Sequence, residues 1–249
     1  MNRVSIIAVG TEITSGEILN RNSQWLSSQL ESLGFDVVLH LTVGDERKLM
    51  RDAFDIAFHR SDVLVITGGL GPTSDDFTRD VVADYVGQSL KFREDVFASL
   101  RKLYETRGLP LREAHKQQCY FPEQAELLEN PVGTALGFLV EREKKKIFVL
   151  PGPPREVEGV FERAMRPALE KLHPVKRVQL QKWKILAVPE SEVAERVEPV
   201  VQKYKLQVGY RASAPYVIVK VWMPIENEKT NKKIQDEING ALEGWTVLP

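Results

Sequence analysis

Three short apolar runs, separated by two stretches of helical periodicity, confine the first seventy residues to few architectures. Arg3–Val9 is a β-branched run ending at Gly10, the pattern of a buried strand followed by a turn. Residues 36–42 form a second such run and residues 62–67 a third. The third contains Val63-Leu64-Val65-Ile66, nearly unbroken apolar sequence, as expected where helices cover both faces of a sheet. Between the runs, Asn22 is placed to cap a helix with Trp25, Leu26, Leu30 and Leu33 as its apolar stripe, stopped by Gly34. Asp45 is placed to cap another, reaching about Arg60, with Leu49, Ala53, Ile56 and Ala57 on one face. Strand, helix, strand, helix, strand predicts an α/β fold with a doubly wound, mostly parallel sheet.

The alternation continues with helices over residues 78–86 and 93–107, the latter broken by Gly108-Leu109-Pro110. Residues 111–136 read as irregular. Strands over 137–141 and 146–150 are joined by a turn at Lys144-Lys145, and a helix over 155–172 follows Pro151-Gly152-Pro153-Pro154. His173-Pro174 reads as a linker. Beyond it the pattern changes to a strand near 178–188, a helix near 191–203, strands near 207–209 and 216–223, and a helix near 230–242. This predicts a second, smaller α+β domain over 176–249 after a first domain over 1–172. The charge shifts at the same place: residues 176–249 carry 12 basic and 9 acidic residues, residues 1–175 carry 22 and 26.

The 249 residues carry a formal net charge of −1, which excludes a basic nucleic-acid arm or an acidic tail as the main feature. The apolar runs are strand-sized and too short for a bilayer. Met1-Asn2-Arg3-Val4 has none of the marks of a secretory signal. The single cysteine, Cys119, forms no internal disulfide and no cysteine zinc site. The expectation is a cytoplasmic protein with no membrane partner.

In open α/β sheets ligands bind beyond the carboxyl ends of the strands, and three segments of unusual composition leave strands there. The first runs from Gly10-Thr11-Glu12 to Gly16-Glu17-Ile18-Leu19-Asn20; its polar groups could face a ligand, but by itself it reads more readily as a plain loop with a helix cap. The second is Thr67-Gly68-Gly69-Leu70-Gly71-Pro72-Thr73-Ser74-Asp75-Asp76-Phe77-Thr78. Its glycines free the backbone to bring amides close to phosphate oxygens at a helix start. The adjacent carboxylates would repel a bare phosphate and make sense with a divalent cation between. The plainer reading is a glycine turn with Asp76 as helix cap. The third joins Asn130-Pro131-Val132-Gly133-Thr134-Ala135 to the rigid Pro151-Gly152-Pro153-Pro154 strand exit.

Other chemistries fail on spacing. There is no Gly-x4-Gly-Lys-Ser/Thr loop, and Gly69-Leu70-Gly71 meets Ser74 where a dinucleotide fingerprint needs glycine. The Nudix helix and the Gly-x-Ser-x-Gly elbow are missing. His40, His59, His115 and His173 match no zinc spacing and read as surface or satisfied polar residues; Cys119 reads as a small core residue.

Taken together, the Gly10, Gly68–Thr73, Asp75–Thr78, Asn130–Ala135 and Pro151–Pro154 segments resemble the N-terminal part of the competence/damage-inducible protein CinA family, over most of residues 1–172 and in the same order. That part is similar to the molybdopterin-binding domain of molybdenum-cofactor enzymes, in which the glycine loop and an aspartate, here Asp76, handle an adenylyl phosphate. A second aspartate of the pattern matches Asp45. The resemblance implies cleavage of ADP-ribose to AMP and ribose 5-phosphate with a divalent metal (Mg, Mn or Co) and potassium. Residues 176–249 resemble the KH-like middle domain of the family, without a Gly-x-x-Gly clamp, which argues against a nucleic-acid partner. The C-terminal amidase domain of full-length CinA has no counterpart here, so amidase activity is expected to be absent. Leu136 stands where the family often has proline, and Arg155 where a small polar residue is common.

The expected function is therefore a metal-dependent nucleotide pyrophosphatase. Asp75, Asp76 and Asp45 are the candidate catalytic residues, and Asp75 and Asp76 the metal ligands. Gly10, Glu12, Asn20, Gly68, Gly69, Gly71, Thr73, Thr78, Asn130, Gly133, Thr134, Pro151, Gly152 and Pro153 are the candidate substrate contacts. The alternatives are a molybdopterin-binding or adenylyl-transferring protein, and a nucleotide- or pterin-binding module without turnover. Related proteins lead to the expectation of a homo-oligomer, with a dimer favoured.

Overall fold

The computed structural model describes residues 3–172, 178–225 and 227–248; the expected linker His173-Pro174 lies outside them. The chain divides into two compact units, Met1–Leu30 with Phe35–Pro174, and Val175–Pro249 with Glu31–Gly34.

In the first unit, β1 (Arg3–Val9), β2 (Asp36–Val43), β3 (Val63–Thr67) and β8 (Lys145–Leu150) are parallel neighbours in the order β2-β1-β3-β8. The antiparallel strands β7 (Gly137–Arg142) and β6 (Glu126–Leu128) extend the sheet to six. The expected α/β, mostly parallel sheet is what forms. Ile7, Leu64, Ile66 and Val149 face one buried cluster. The alternate residues Ile6, Val65 and Phe148 point to the opposite face and are equally buried, so helices cover the sheet on both sides.

The first long helix, α2 (Arg21–Ser32), follows the single turn α1 (Thr11–Thr14). Its cap is Asn20, not Asn22: Asn20 Oδ1 accepts the Ser23 amide at 3.0 Å. Asn22 lies inside the helix and donates to the Gly152 carbonyl at 2.7 Å. Asn20→Ala therefore costs about 1 kcal/mol of stability in denaturant melts. A melt unchanged by this substitution would remove the capping role.

Helix α3 (Arg47–Arg60) starts from Glu46, and Asp45 does not cap it. The buried stripe of α3 is Met50, Ala53, Phe54, Ala57 and Phe58, while Leu49 and Ile56, expected inside, are exposed. Two phenylalanines and a methionine bury more apolar surface than Leu49 and Ile56, and they decide the helix rotation.

Helix α4 (Thr78–Val86) has the predicted bounds, and its cap residue is Phe77 rather than Asp76. Residues 111–136 are more ordered than expected. After β4 (Leu90–Phe92) and α5 (Glu94–Thr106), a 3-10 segment over Glu113–Cys119 leads into β5 (Tyr120–Pro122), which pairs with β4. The β7–β8 turn is Glu143-Lys144, one residue earlier than expected. Both residues have positive φ, as a two-residue hairpin turn demands. The helix expected over 155–172 is α6 (Pro154–Val160), a π-helical turn (Phe161–Met165) and α7 (Arg166–Leu172).

The second unit is the expected smaller α+β arrangement. It contains β9 (Val178–Leu186), α8 (Glu190–Lys203), β10 (Gln207–Ser213), β11 (Tyr216–Pro224), α9 (Glu228–Ala241) and a short β12 (Val247–Leu248) absent from the sequence reading. The strands form an antiparallel sheet in the order β10-β11-β9-β12. Trp183, Ile185, Val219 and Val221 pack with Val193, Val197, Ile234 and Ile238 as its core. Among the described residues no helix is long and apolar enough to cross a membrane.

Candidate functional site

Strand β1 is flanked by β2 on one side and β3 on the other, so the chain winds in opposite directions from it. A crevice opens beyond the carboxyl ends of the strands at such a switch point. Residues 10–12 after β1, 44–45 after β2, 68–76 after β3 and 151–153 after β8 meet there. They surround a cavity of about 420 Å³.

The loop after β3 is shaped by its glycines. Gly68 has φ +100°, and a β-carbon there would overlap the Val9 carbonyl oxygen of β1. Gly69 has φ +66° and lies against the fully buried Thr78 hydroxyl. The Gly68 amide donates to the Leu150 carbonyl at 3.1 Å, tying the loop to β8. The amides of Gly69, Leu70 and Gly71 have no acceptor among the described residues. Three consecutive N–H groups without an acceptor, on a loop that lines the cavity, are suited to an anion.

Carboxylates line the same cavity. Asp76 Oδ2 accepts the Thr73 amide at 2.9 Å and the Thr73 hydroxyl. A β-carbon at Gly71 would collide with this same carboxylate. Hydrogen bonding from Thr73 and from its own backbone lowers the exposed Asp75 carboxyl below the ordinary aspartate range. Asp45 Oδ2 accepts the Thr11 amide at 2.7 Å and the Thr11 hydroxyl at 2.8 Å, linking the ends of β1 and β2. Glu156, in the first turn of α6, accepts from Asn130 Nδ2 at 2.7 Å. With Glu12, five carboxylates line the cavity, and among the described residues no Lys, Arg or His lines it.

Of the residues expected from sequence, Gly10, Glu12, Asp45, Gly68, Gly69, Gly71, Asp75, Asp76, Thr134, Pro151, Gly152 and Pro153 come together around the cavity. Asn20, Thr73, Thr78, Asn130 and Gly133 do not line it. Asn20 caps α2 and donates to Thr42 Oγ1 at 3.2 Å. Thr73 holds Asp76. Asn130 is buried, accepts the Val132 and Gly133 amides at 3.0 and 2.9 Å, and donates to the Ala135 carbonyl at 2.8 Å. It shapes the turn that presents Thr134.

Sequence reasoning missed Glu156 and Gln118, both lining residues. An acid in a first helical turn reads as dipole compensation, which hid Glu156. Gln118 sits in the 3-10 segment, and nothing in the pattern marks it. Of the histidines, His40, His59 and His115 do not line the cavity, and His173 lies outside the described residues; His59 bonds its own helix, and His115 accepts the Arg112 amide. Cys119 is fully buried, and burial pushes its thiol up to about 11, which leaves it protonated at neutral pH.

Carboxylate oxygens suit hard cations. Among the described residues no group of three or more His, Cys, Asp or Glu is placed to hold a metal by itself. That donor set fits an ion such as Mg²⁺, which is held through one or two carboxylates, with water and ligand phosphate completing its shell.

A family described as "Probable molybdopterin binding domain" matches residues 5–171. A competence-damage inducible protein of Caldicellulosiruptor saccharolyticus is 37% identical over 238 residues, covering 96% of this chain and 57% of that protein. One from Caldicellulosiruptor bescii is 42% identical over 196 residues, covering 79% and 47%. The chain thus spans about half the length of the curated relatives it matches. A crystal structure described as the protein CinA with unknown function, from Thermoplasma acidophilum, superposes with a TM-score of 0.63. It is 35% identical and covers 68% of this chain and 98% of its own.

Proposed function

This chain belongs to the competence-damage inducible CinA family, with a molybdopterin-binding-like domain over residues 5–171, and from that premise we propose that it is a metal-dependent nucleotide pyrophosphatase acting on ADP-ribose in the cytoplasm. One observation carries the reading: among the described residues, three amides without an acceptor lie on a loop that lines a cavity with five carboxylates and no basic side chain. The amides draw phosphate oxygens, and the carboxylates repel them unless cations intervene. A divalent cation, when bound with potassium as its companion, would supply neutralisation of phosphoryl charge and a more acidic water.

In this reading Gly69, Leu70 and Gly71 bind phosphoryl oxygens of the diphosphate. Asp75 and Asp76 would hold the cation, with Thr73 fixing the Asp76 carboxylate. Asp45 orients the attacking water, and Glu12 and Glu156 close the rim. Water adds to one phosphorus, the bridging P–O bond breaks, and the second phosphate departs with that oxygen, giving AMP and ribose 5-phosphate.

The test is incubation with ADP-ribose and Mg²⁺, Mn²⁺ or Co²⁺, with and without K⁺, and mass analysis of the products. AMP with ribose 5-phosphate is expected. Intact ADP-ribose under every condition would contradict the reading. The description of the matching family favours a second one, in which the same cavity binds molybdopterin or adenylylates it. An adenylylated pterin in the same assay would select that reading. The active form is proposed to be a homo-oligomer, most simply a dimer, which light scattering would size.

A further inference from the structure

Behind the glycine loop lies a cation that the hydrolytic reading does not use. Arg79, in the first turn of α4, is 1% exposed and lies wholly inside the protein. Removing a guanidinium from water costs several kcal/mol unless it is well paired. No carboxylate pairs with it among the described residues. Its Nη2 donates to the Leu70 carbonyl, its Nε and Nη1 have no partner among the described residues, and the Phe121 ring lies 5.7 Å away. Gln118 Nε2 approaches the same Leu70 oxygen at 3.5 Å. Burial lowers the guanidinium to about 10, so it stays charged at neutral pH.

What this contact does follows from peptide geometry. A trans peptide is planar, so the Leu70 carbonyl and the Gly71 N–H point in opposite directions. Arg79 draws that carbonyl into the interior, which turns the Gly71 amide outward, and Gly71 lines the cavity with that N–H unpaired. We infer that Arg79 is a positioning residue for anion binding: it aims the Gly71 amide at a phosphoryl oxygen and sets a fixed positive charge behind a cavity walled by carboxylates. The inference rests on reading that cavity as a phosphate site.

The probe is pyrophosphate with Mg²⁺, titrated calorimetrically into the full chain, while glycine amide resonances are followed by ¹⁵N-labelled NMR. In the wild type, pyrophosphate moves the Gly71 resonance more than those of Gly87 and Gly108, which lie in remote turns. Arg79→Met keeps an unbranched apolar stem in the interior, and replacing a buried charge by an apolar group is often tolerated. It is expected to displace the Gly71 resonance before any ligand is added and to weaken pyrophosphate about tenfold, the loss of one hydrogen bond to a charged group. Arg79→Lys restores charge and recovers part of that affinity, and it carries the test alone if Arg79→Met does not fold. Equal affinity and an unmoved Gly71 resonance in a folded variant would overturn the inference and leave the phosphate reading standing. A wild type that binds no pyrophosphate would overturn both.

Discussion

Replacing Asp76 with asparagine lowers ADP-ribose turnover by about 10²- to 10³-fold, the range seen when one preorganised electrostatic contact to a transition state is lost. The substitution is close to isosteric. The Thr73 amide and hydroxyl that now donate to Asp76 Oδ2 can donate equally to an amide oxygen, so the loop keeps its shape. What changes is the other position of the carboxyl group. There an NH₂ replaces an oxygen, removes a negative charge and cannot ligate a cation. The melting temperature stays within a few degrees, while kcat falls at saturating metal. Turnover within twofold of wild type would show that Asp76 serves only as a strut between β3 and α4.

Gly68→Ala is the largest structural perturbation that a single methyl group makes here. The residue sits at φ +100°, which L side chains rarely adopt, and the added carbon meets the Val9 carbonyl, a backbone atom of the central strand. Strand β1 pairs on both sides, so it cannot give way. Backbone strain and overpacking together cost about 2–4 kcal/mol. For a unit of this size that corresponds to a melting temperature lowered by about 5–15 °C. Diphosphate binding is lost with it, because the loop must move to admit the methyl group. Gly87→Ala is the control. Its φ is +70°, but a β-carbon there meets open space, and the cost is about 1 kcal/mol. A Gly68→Ala protein as stable as Gly87→Ala would mean that the loop adapts freely, and a preformed amide cradle would then be untenable.

How far the sequence reveals this arrangement depends on the range of the forces involved. The buried parallel strands are legible because burial on both faces leaves unbroken apolar runs, as in Val63-Leu64-Val65-Ile66. The glycine loop is legible because only glycine serves at Gly68 and Gly69. The start of α4 at Thr78 also follows locally. Features decided by tertiary contact are not legible. Asn20 and Asn22 are equally good caps on paper, and Asn22 is instead taken by the Gly152 carbonyl. Leu49 and Ile56 fit a helical stripe as well as Met50 and Phe54 do, and packing volume decides between them. The three-residue strands β4, β5 and β6 are too short to show a period. Glu156 and Gln118 enter the cavity only because α6 and the 3-10 segment are brought beside the glycine loop, and no local signal announces that. Arg79 is the extreme case, since an arginine in a first helical turn reads as solvent-exposed.

Hydrolysis in this cavity depends on one joint event, a diphosphate and a divalent cation entering it together. Calorimetric titration of ADP-ribose into the chain, with Mg²⁺ and then with a chelator, measures it directly. Binding at least about 100-fold tighter with the cation is predicted, since the carboxylates repel the diphosphate when nothing lies between them. Equal affinity in the two titrations, or no binding in either, would contradict the account.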